Sequence, residues 1–327
     1  MRVQSSPRQY IEERLPKPLE QLSEDELERK QHIGRVTTQA LTYITRKFMT
    51  LGFEWMLPVV FSKSTDPLWP DPGASIEKRI EVEMYGETVR TTLSMIVHKL
   101  VACSLLHPKL FTLSPNVRVE KPERRSTGWH IYEFTQLDFE ARSASSKDIM
   151  RLCEAVVCGL IGDLRANCGR SLDYLREDGE LMVPGAPFEV FDKEELNARY
   201  GGDWEAQLPL EIQQPVWVTN IPREFYDYED LQSQKWDNYD LYLPKYGEVL
   251  SGAKREWEYE KILTKMQRDR VATKNYSLLL RLAKEGKLKP SAGAGIGLER
   301  LLCWVVGERH VGEVQPFPKI PGIVYDL

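Results

Sequence analysis

Residues 291–300 read Ser-Ala-Gly-Ala-Gly-Ile-Gly-Leu-Glu-Arg, and no other stretch restricts the fold so strongly. Glycines at alternate positions of a strand leave one face bare, so a flat ring or a phosphate can lie against the backbone. The helix predicted from Leu298 to Val306 puts Arg300 on its first turn, aimed at the same place, where the helix dipole already favours anions. No Gly-Lys-Ser/Thr follows, so the segment is not a P-loop, and the glycine order is not that of a dinucleotide fold. Taken alone, it leaves two readings open: a platform for a ring and a phosphate, or tight strand–helix packing with a solvated arginine.

Two other segments carry chemistry. Residues 110–140 alternate as two antiparallel strands, Phe111–Lys121 and His130–Glu140, joined by a polar loop at 122–128. Arg118 and Glu120 lie two apart and share one face; His130, Tyr132, Phe134, Gln136 and Asp138 share one face of the return strand. Such a mixture suits neither a core nor a solvated face. Phe134 can stack a base while Arg118 and His130 hold phosphates; the plainer alternative is an exposed hairpin with incidental ion pairs. Further on, Asp240 and Glu248 are hard oxygen ligands of the kind Mg2+ takes beside phosphates, and Arg255 has the fork that clamps a carboxylate.

The remaining chain frames these segments. Residues 1–22 read as a charged, proline-containing surface arm. Ser23 and Glu26 form a capping box, and Ile33, Val36, Ala40, Ile44, Phe48 and Leu51 keep helical spacing up to Gly52. Residues 53–60 read as a strand whose Pro58 confines it to an edge or an interface. Residues 64–75 read as a loop, 80–85 as short strands, 91–106 as a helix, and 148–167 as a helix capped by Ser146 and ended by Gly169. Strands are expected at 239–243 and 247–251, and a helix over 256–285. Strands from distant sequence flanked by helices indicate an α+β fold with a mainly antiparallel sheet, and no linker divides residues 23–327. A net charge of −5 over 327 residues argues against a coat for nucleic acid. No apolar run approaches the ~20 residues that cross a bilayer, and the amino end has no signal core, so a cytoplasmic protein with no membrane partner is expected. Five cysteines without a Cys-x-x-Cys spacing argue against a disulfide framework or structural zinc.

Jointly the motifs resemble the three signatures of class II aminoacyl-tRNA synthetases, aspartyl/asparaginyl branch. Leu57-Pro58 after a long helix is similar to the first; Val117–Glu120 with Glu133–Asp138 to the second; Gly295–Arg300 to the third; Ser251-Gly-Ala-Lys-Arg255 is similar to a branch-specific signature. The resemblance spans roughly residues 24–318. It implies the class II catalytic-domain fold and a homodimer with Pro58 at its axis. It implies that Arg118 and Arg300 hold ATP phosphates, Glu120 and Phe134 the adenine, and His130 the terminal phosphates. Asp240 and Glu248 would bind Mg2+, helped by Ser251. Lys99 and Arg255 would bind a substrate carboxylate, and Asp138 with Gln136 the substrate ammonium.

Two departures sharpen the expectation. The 22 residues before the first helix cannot form the five-stranded anticodon-binding barrel of the tRNA-charging enzymes, so no such domain, and no tRNA partner, is expected. The substrate loop reads Leu93-Ser94-Met95-Ile96-Val97-His98-Lys99, where charging enzymes carry glutamines around Ser-Pro. With the ending Glu313–Pro318, the chain is similar to archaeal-type asparagine synthetases. The function this implies is an ammonia-dependent, AMP-forming ligase making asparagine from aspartate, ATP and ammonia through an aspartyl-adenylate. Its alternatives are a tRNA ligase core, a ligase joining an aspartate-like acid to another amine, and a non-enzymatic adenylate-binding paralogue.

Overall fold

The computed structural model describes residues 15–67, 76–177 and 179–326. In chain order the elements are α1 (Glu24–Thr50), β1 (Glu54–Trp55), β2 (Phe61–Ser62), β3 (Ile76–Lys78), β4 (Glu81–Met84), β5 (Glu87–Thr91), α2 (Ile96–Leu105), β6 (Lys109–Val117), β7 (Val119–Glu120) and β8 (Glu133–Arg142). There follow α3 (Ser146–Leu175), β9 (Glu189–Asp192), α4 (Lys193–Tyr200), α5 (Trp204–Glu211), β10 (Val216–Thr219), β11 (Glu229–Asp230), β12 (Lys235–Trp236), β13 (Asn238–Leu243), β14 (Gly247–Lys254), α6 (Tyr259–Arg268), α7 (Ser277–Lys284), β15 (Ser291–Gly297) and α8 (Leu298–Val306).

The centre is an eight-stranded sheet in the order β1-β6-β8-β15-β14-β13-β10-β9. Its six inner strands are antiparallel, while β1 and β9 join the ends in parallel. Side-chain alternation divides the two faces. Leu137, Phe139 and Ala141 of β8 and Ala292, Ala294 and Ile296 of β15 enter a core with Val36, Ala40, Ile44 and Phe48 of α1, Val156, Leu160 and Leu164 of α3, and Leu301 and Val305 of α8. Gln136, Asp138 and Glu140 alternate with the β8 core residues, and Gly293, Gly295 and Gly297 with those of β15, and so line the other face. There the register aligns Thr112 with Asp138, Asp138 with Gly295, Gly295 with Ser251, and Ser251 with Asp240. One polar row therefore crosses five strands.

Several local expectations are revised. The arm's residues 15–22 are docked rather than loose: Pro16 and Pro18 are buried, and the Tyr325 hydroxyl donates to the Pro16 carbonyl at 2.8 Å; residues 1–14 lie outside the described residues. The strand at 53–60 shortens to β1, since Pro58 removes a ladder donor, and pairing resumes only at β2. Of the loop at 64–75, residues 68–75 are outside the described residues. β5 takes the residues before Thr92, so α2 begins later than its apolar spacing suggests. The return strand begins at Glu133, leaving His130 and Tyr132 ahead of it. The N-cap of α3 is Ser145, in a capping box with Asp148, and the helix continues past Gly169 through non-helical Cys168, because Leu172 and Leu175 still reach the core. The helix over 256–285 is two, broken where Arg270 takes a positive φ. All five cysteines are free thiols.

Candidate active site

At one end of the polar face, β6 runs into the loop before β8 and brings Arg118 over the Phe134 ring, 5.1 Å from its centroid. The Arg118 guanidinium donates to the Leu93 carbonyl at 2.9 Å, tying it to the loop before α2. Glu120 is buried and its Oε2 accepts no hydrogen bond; burial raises its pKa while Arg118, Arg124 and Arg300 oppose that shift. His130 receives or donates one hydrogen bond with Thr127 at 2.6 Å. Burial first, then the charges of Arg300, Arg124 and Arg118, push its pKa down to about 3, so the ring is neutral at physiological pH. Arg300 leaves the first turn of α8 and donates to the carbonyls of Glu248 at 2.8 Å and Trp129 at 3.3 Å. Arg118, Glu120, His130, Phe134 and Arg300 thus surround one end of the sheet.

The sheet's middle holds Asp240 and Glu248. A register shift at Leu241/Tyr242 sets Tyr242 opposite Glu248. Asp240 is ion-paired to Arg223 through Oδ2, while its buried Oδ1 accepts nothing. Burial raises the Asp240 pKa to about 8; Arg223 opposes the shift, and Glu248 and Glu205 add to it. Ser251 is the cross-strand partner of Asp240. Among the described residues no three His, Cys, Asp or Glu side chains are grouped to hold a metal by themselves. An orphaned carboxylate oxygen beside a second acid does suit a hard divalent cation whose other ligands are phosphate oxygens and water.

Lys99 and Arg255, expected to bind a substrate carboxylate, are held by acidic partners within the protein. Both are buried and already bind acceptors within the protein. Lys99 donates to Asp138 Oδ1 at 3.0 Å and the Ala294 carbonyl at 2.9 Å, with Glu140 at 3.8 Å. Arg255 is paired with Asp227, lies 3.3 Å from Glu140, and donates to the Gly293 carbonyl at 3.0 Å. Asp138 is likewise engaged by the Ser114 hydroxyl at 2.8 Å, and Gln136 by Asn116 at 3.0 Å. Ser94 Oγ accepts from Ile96 N at 3.2 Å and helps start α2. A bare carboxylate arriving here would have to break buried ion pairs, which costs several kcal/mol.

Five residues of this region were not anticipated: Asp66, Glu140, Arg223, Glu224 and Asp227. Glu140 follows Asp138 by two, so strand alternation already places it on the same face. The others lie in Thr65-Asp66 and in Pro222-Arg-Glu-Phe-Tyr-Asp227, irregular segments whose only local signal is charge packed among aromatics. Asp66 accepts the Tyr226 hydroxyl at 3.0 Å, and Thr65 is pinned by Leu93 N at 3.0 Å and the Tyr276 hydroxyl at 2.7 Å.

Comparison with known proteins agrees with this architecture. The family described as tRNA synthetases class II (D, K and N) matches residues 80–321. An asparagine–tRNA ligase of Pyrococcus furiosus is 28% identical over 236 residues, 66% of this chain and 54% of that one, so the chain spans about half of that relative's length. The structure of asparaginyl-tRNA synthetase from Pyrococcus horikoshii with asparaginyl-adenylate superimposes with a TM-score of 0.80 at 23% identity, covering 95% of this chain and 76% of that one. Aspartyl-tRNA synthetase of Entamoeba histolytica superimposes with a TM-score of 0.72 at 18% identity, covering 90% and 59%. The chain belongs to the class II tRNA synthetases of the D, K and N group.

Proposed function

We propose that this protein is an ATP-dependent ligase that activates the carboxylate of an amino acid as an acyl-adenylate, releasing pyrophosphate, and passes the acyl group to an acceptor with release of AMP. The observation that carries the reading is the convergence of Arg118, Phe134 and Arg300 on a sheet face stripped of side chains at Gly295 and Gly297. A purine can stack on Phe134 against Arg118, and the two guanidiniums can neutralise charge developing on the α-phosphate. Attack at phosphorus needs no covalent protein intermediate, so positioning and charge stabilisation suffice. Neutral His130 and buried Glu120 suit hydrogen bonding to nucleotide rather than proton transfer. Asp240 and Glu248 would hold Mg2+, which supplies charge neutralisation on the phosphates when bound.

For the acceptor, ammonia gives an asparagine-type amide synthetase and a tRNA 3′ end gives a charging enzyme. The relatedness to asparagine–tRNA ligase favours the second; the departure of the Leu93–Lys99 loop from the charging pattern favours the first. Amino-acid-dependent exchange of pyrophosphate into ATP tests the shared first step. Product mass with ammonium, against ribonuclease sensitivity of product formation, separates the acceptors. ADP and phosphate as the nucleotide products would sink the adenylate mechanism.

A further inference from the structure

Asn116 of β6 is wholly buried beside Gln136 of β8, yet its Oδ1 accepts no hydrogen bond among the described residues. A buried acceptor without a partner costs stability that an apolar side chain of similar shape would not, so the worth of the residue lies in its other end. Nδ2 donates to Ser114, whose carbonyl oxygen is 3.1 Å away and whose hydroxyl is 3.3 Å away, and to Gln136 Oε1 at 3.0 Å. A carbonyl oxygen only accepts, so the Asn116 atom turned toward Ser114 has to be the nitrogen. The same nitrogen meets Gln136, so the Gln136 atom turned toward it has to be the oxygen. The Gln136 amide is thereby held one way round, with Nε2 over the bare backbone of β15. A Cβ built on Gly295 would lie 3.1 Å from Gln136 Nε2 and 3.1 Å from Asp138 Oδ1. The two polar atoms over Gly295 thus differ in kind: Asp138 accepts and Gln136 donates.

We propose that Asn116 is a positioning residue for the amino-acid substrate: by holding Gln136 Oε1 it makes Gln136 present a donor at Gly295, and the substrate group met there is an oxygen of the carboxylate to be activated. The substrate ammonium is left to Asp138. The proposal rests on the adenylate-forming reading for the fate of that carboxylate. It gives Gln136 the opposite task from the ammonium contact that the family resemblance implies. An N–H group has nothing to offer an ammonium, whereas a carboxylate oxygen accepts from it, so the orientation of one amide decides which end of a zwitterion lies there. A donor fixed in this way holds one carboxylate oxygen and leaves the other free to attack phosphorus, which is catalysis by orientation. Without Asn116 the amide can turn either end outward, and half of that selection is lost.

Calorimetric titration of the full chain with aspartate and with asparagine, together with pyrophosphate exchange, tests this. Asn116→Leu keeps the shape and removes the donor. It is expected to weaken the tighter of the two amino acids roughly tenfold, with ATP affinity and melting temperature close to wild type. Gln136→Leu is expected to weaken it at least as much, and adding Asn116→Leu to Gln136→Leu to weaken it no further, since a residue that acts through another has no effect in its absence. Gln136→Glu sets an acceptor against the substrate oxygen and is expected to weaken binding most, roughly a hundredfold. Position 136 is only half-buried, so this variant decides between oxygen and ammonium even where Asn116→Leu does not fold. Independent, multiplying effects of the two leucines, tighter binding in Gln136→Glu, or failure of the wild type to bind either amino acid would overturn the proposal. Exchange keeps the two claims apart. An amino acid that binds with these variant effects but drives no exchange sinks the adenylate reading and leaves the role of Asn116 standing. Exchange that is unchanged in Asn116→Leu sinks that role and leaves adenylation.

Discussion

Arg300 and Glu299 are neighbours with opposite fates. Arg300 faces the site, held at two carbonyls that phosphate oxygens can replace as its partners. Its contact strengthens as charge develops, so Arg300→Ala is expected to lower the exchange rate by about two orders of magnitude, with a smaller change in the Michaelis constant for ATP. Pre-steady-state exchange with saturating ATP measures the first, a titration the second. Glu299 points the other way, into the side of the sheet near α1, where both its oxygens accept Thr135 N at 2.9 and 3.0 Å. Burial raises its pKa to about 7, against 4.5 for an ordinary glutamate. The folded state therefore holds more protons than the unfolded chain between those values, and stability falls as pH rises from about 4.5 to about 7. Glu299→Gln keeps an acceptor for Thr135 and removes the ionisation. The fall in melting temperature across that window should shrink in the variant, and an unchanged slope would assign it to other groups. At this scale the sequence brought Arg118 and Phe134 together at one end of the sheet and aimed Arg300 at the same face, because strand alternation and a helix start position them locally. It did not show that Asp138 engages Lys99 while Glu140 and Asp227 engage Arg255, because the Lys99–Asp138 and Arg255–Glu140 pairs join segments 39 and 115 residues apart in the chain.

Elements with a strong local pattern were legible: β15 and α8 lie where the glycine alternation and its following helix put them, and α1 starts at its capping box. Elements whose ends depend on distant partners were not. Gly169 lacks a left-handed φ and so does not stop α3, whose last turn is retained by the core contacts of Leu172 and Leu175. Within β15 the glycines are unequal. A Cβ on Gly293 would lie 2.2 Å from the Phe139 carbonyl oxygen and 2.3 Å from Glu140 Oε2, whereas one on Gly297 meets nothing nearer than 3.7 Å. Gly293→Ala must push β8 and β15 apart and disturb the Arg255–Glu140 pair, at a cost of about 3 kcal/mol, in the upper range for overpacking. Gly297→Ala should leave the melting temperature within about a degree or two and act on nucleotide affinity, since its Cβ would occupy the bare face. Thermal denaturation of the two variants, with ATP binding measured on the stable one, checks both halves. Equal destabilisation would mean that backbone freedom rather than space sets the requirement for glycine.

The whole molecule leaves one sheet edge to be explained. β1 is the terminal strand, only two residues long, and the chain beyond it exposes Leu57 at 84% just before Pro58, while Trp55 on the strand is 48% exposed. A short strand with a nearby proline blunts backbone pairing, yet the side chains it presents are apolar, which favours burial by a partner surface over solvent contact. Two copies related by a two-fold axis would bury this patch against itself, each Leu57–Pro58 meeting its counterpart. The expected species at micromolar protein is therefore a dimer of twice the 37.8 kDa chain mass. Leu57→Asp is the discriminating variant. A residue so exposed contributes little to the core of its own chain, so the charge should leave the fold intact while placing two carboxylates at the axis, where their repulsion and desolvation oppose association. Light scattering should then give the single-chain mass with an unchanged circular dichroism spectrum. A dimer that survives Leu57→Asp, or a monomeric wild type, would place the association surface elsewhere.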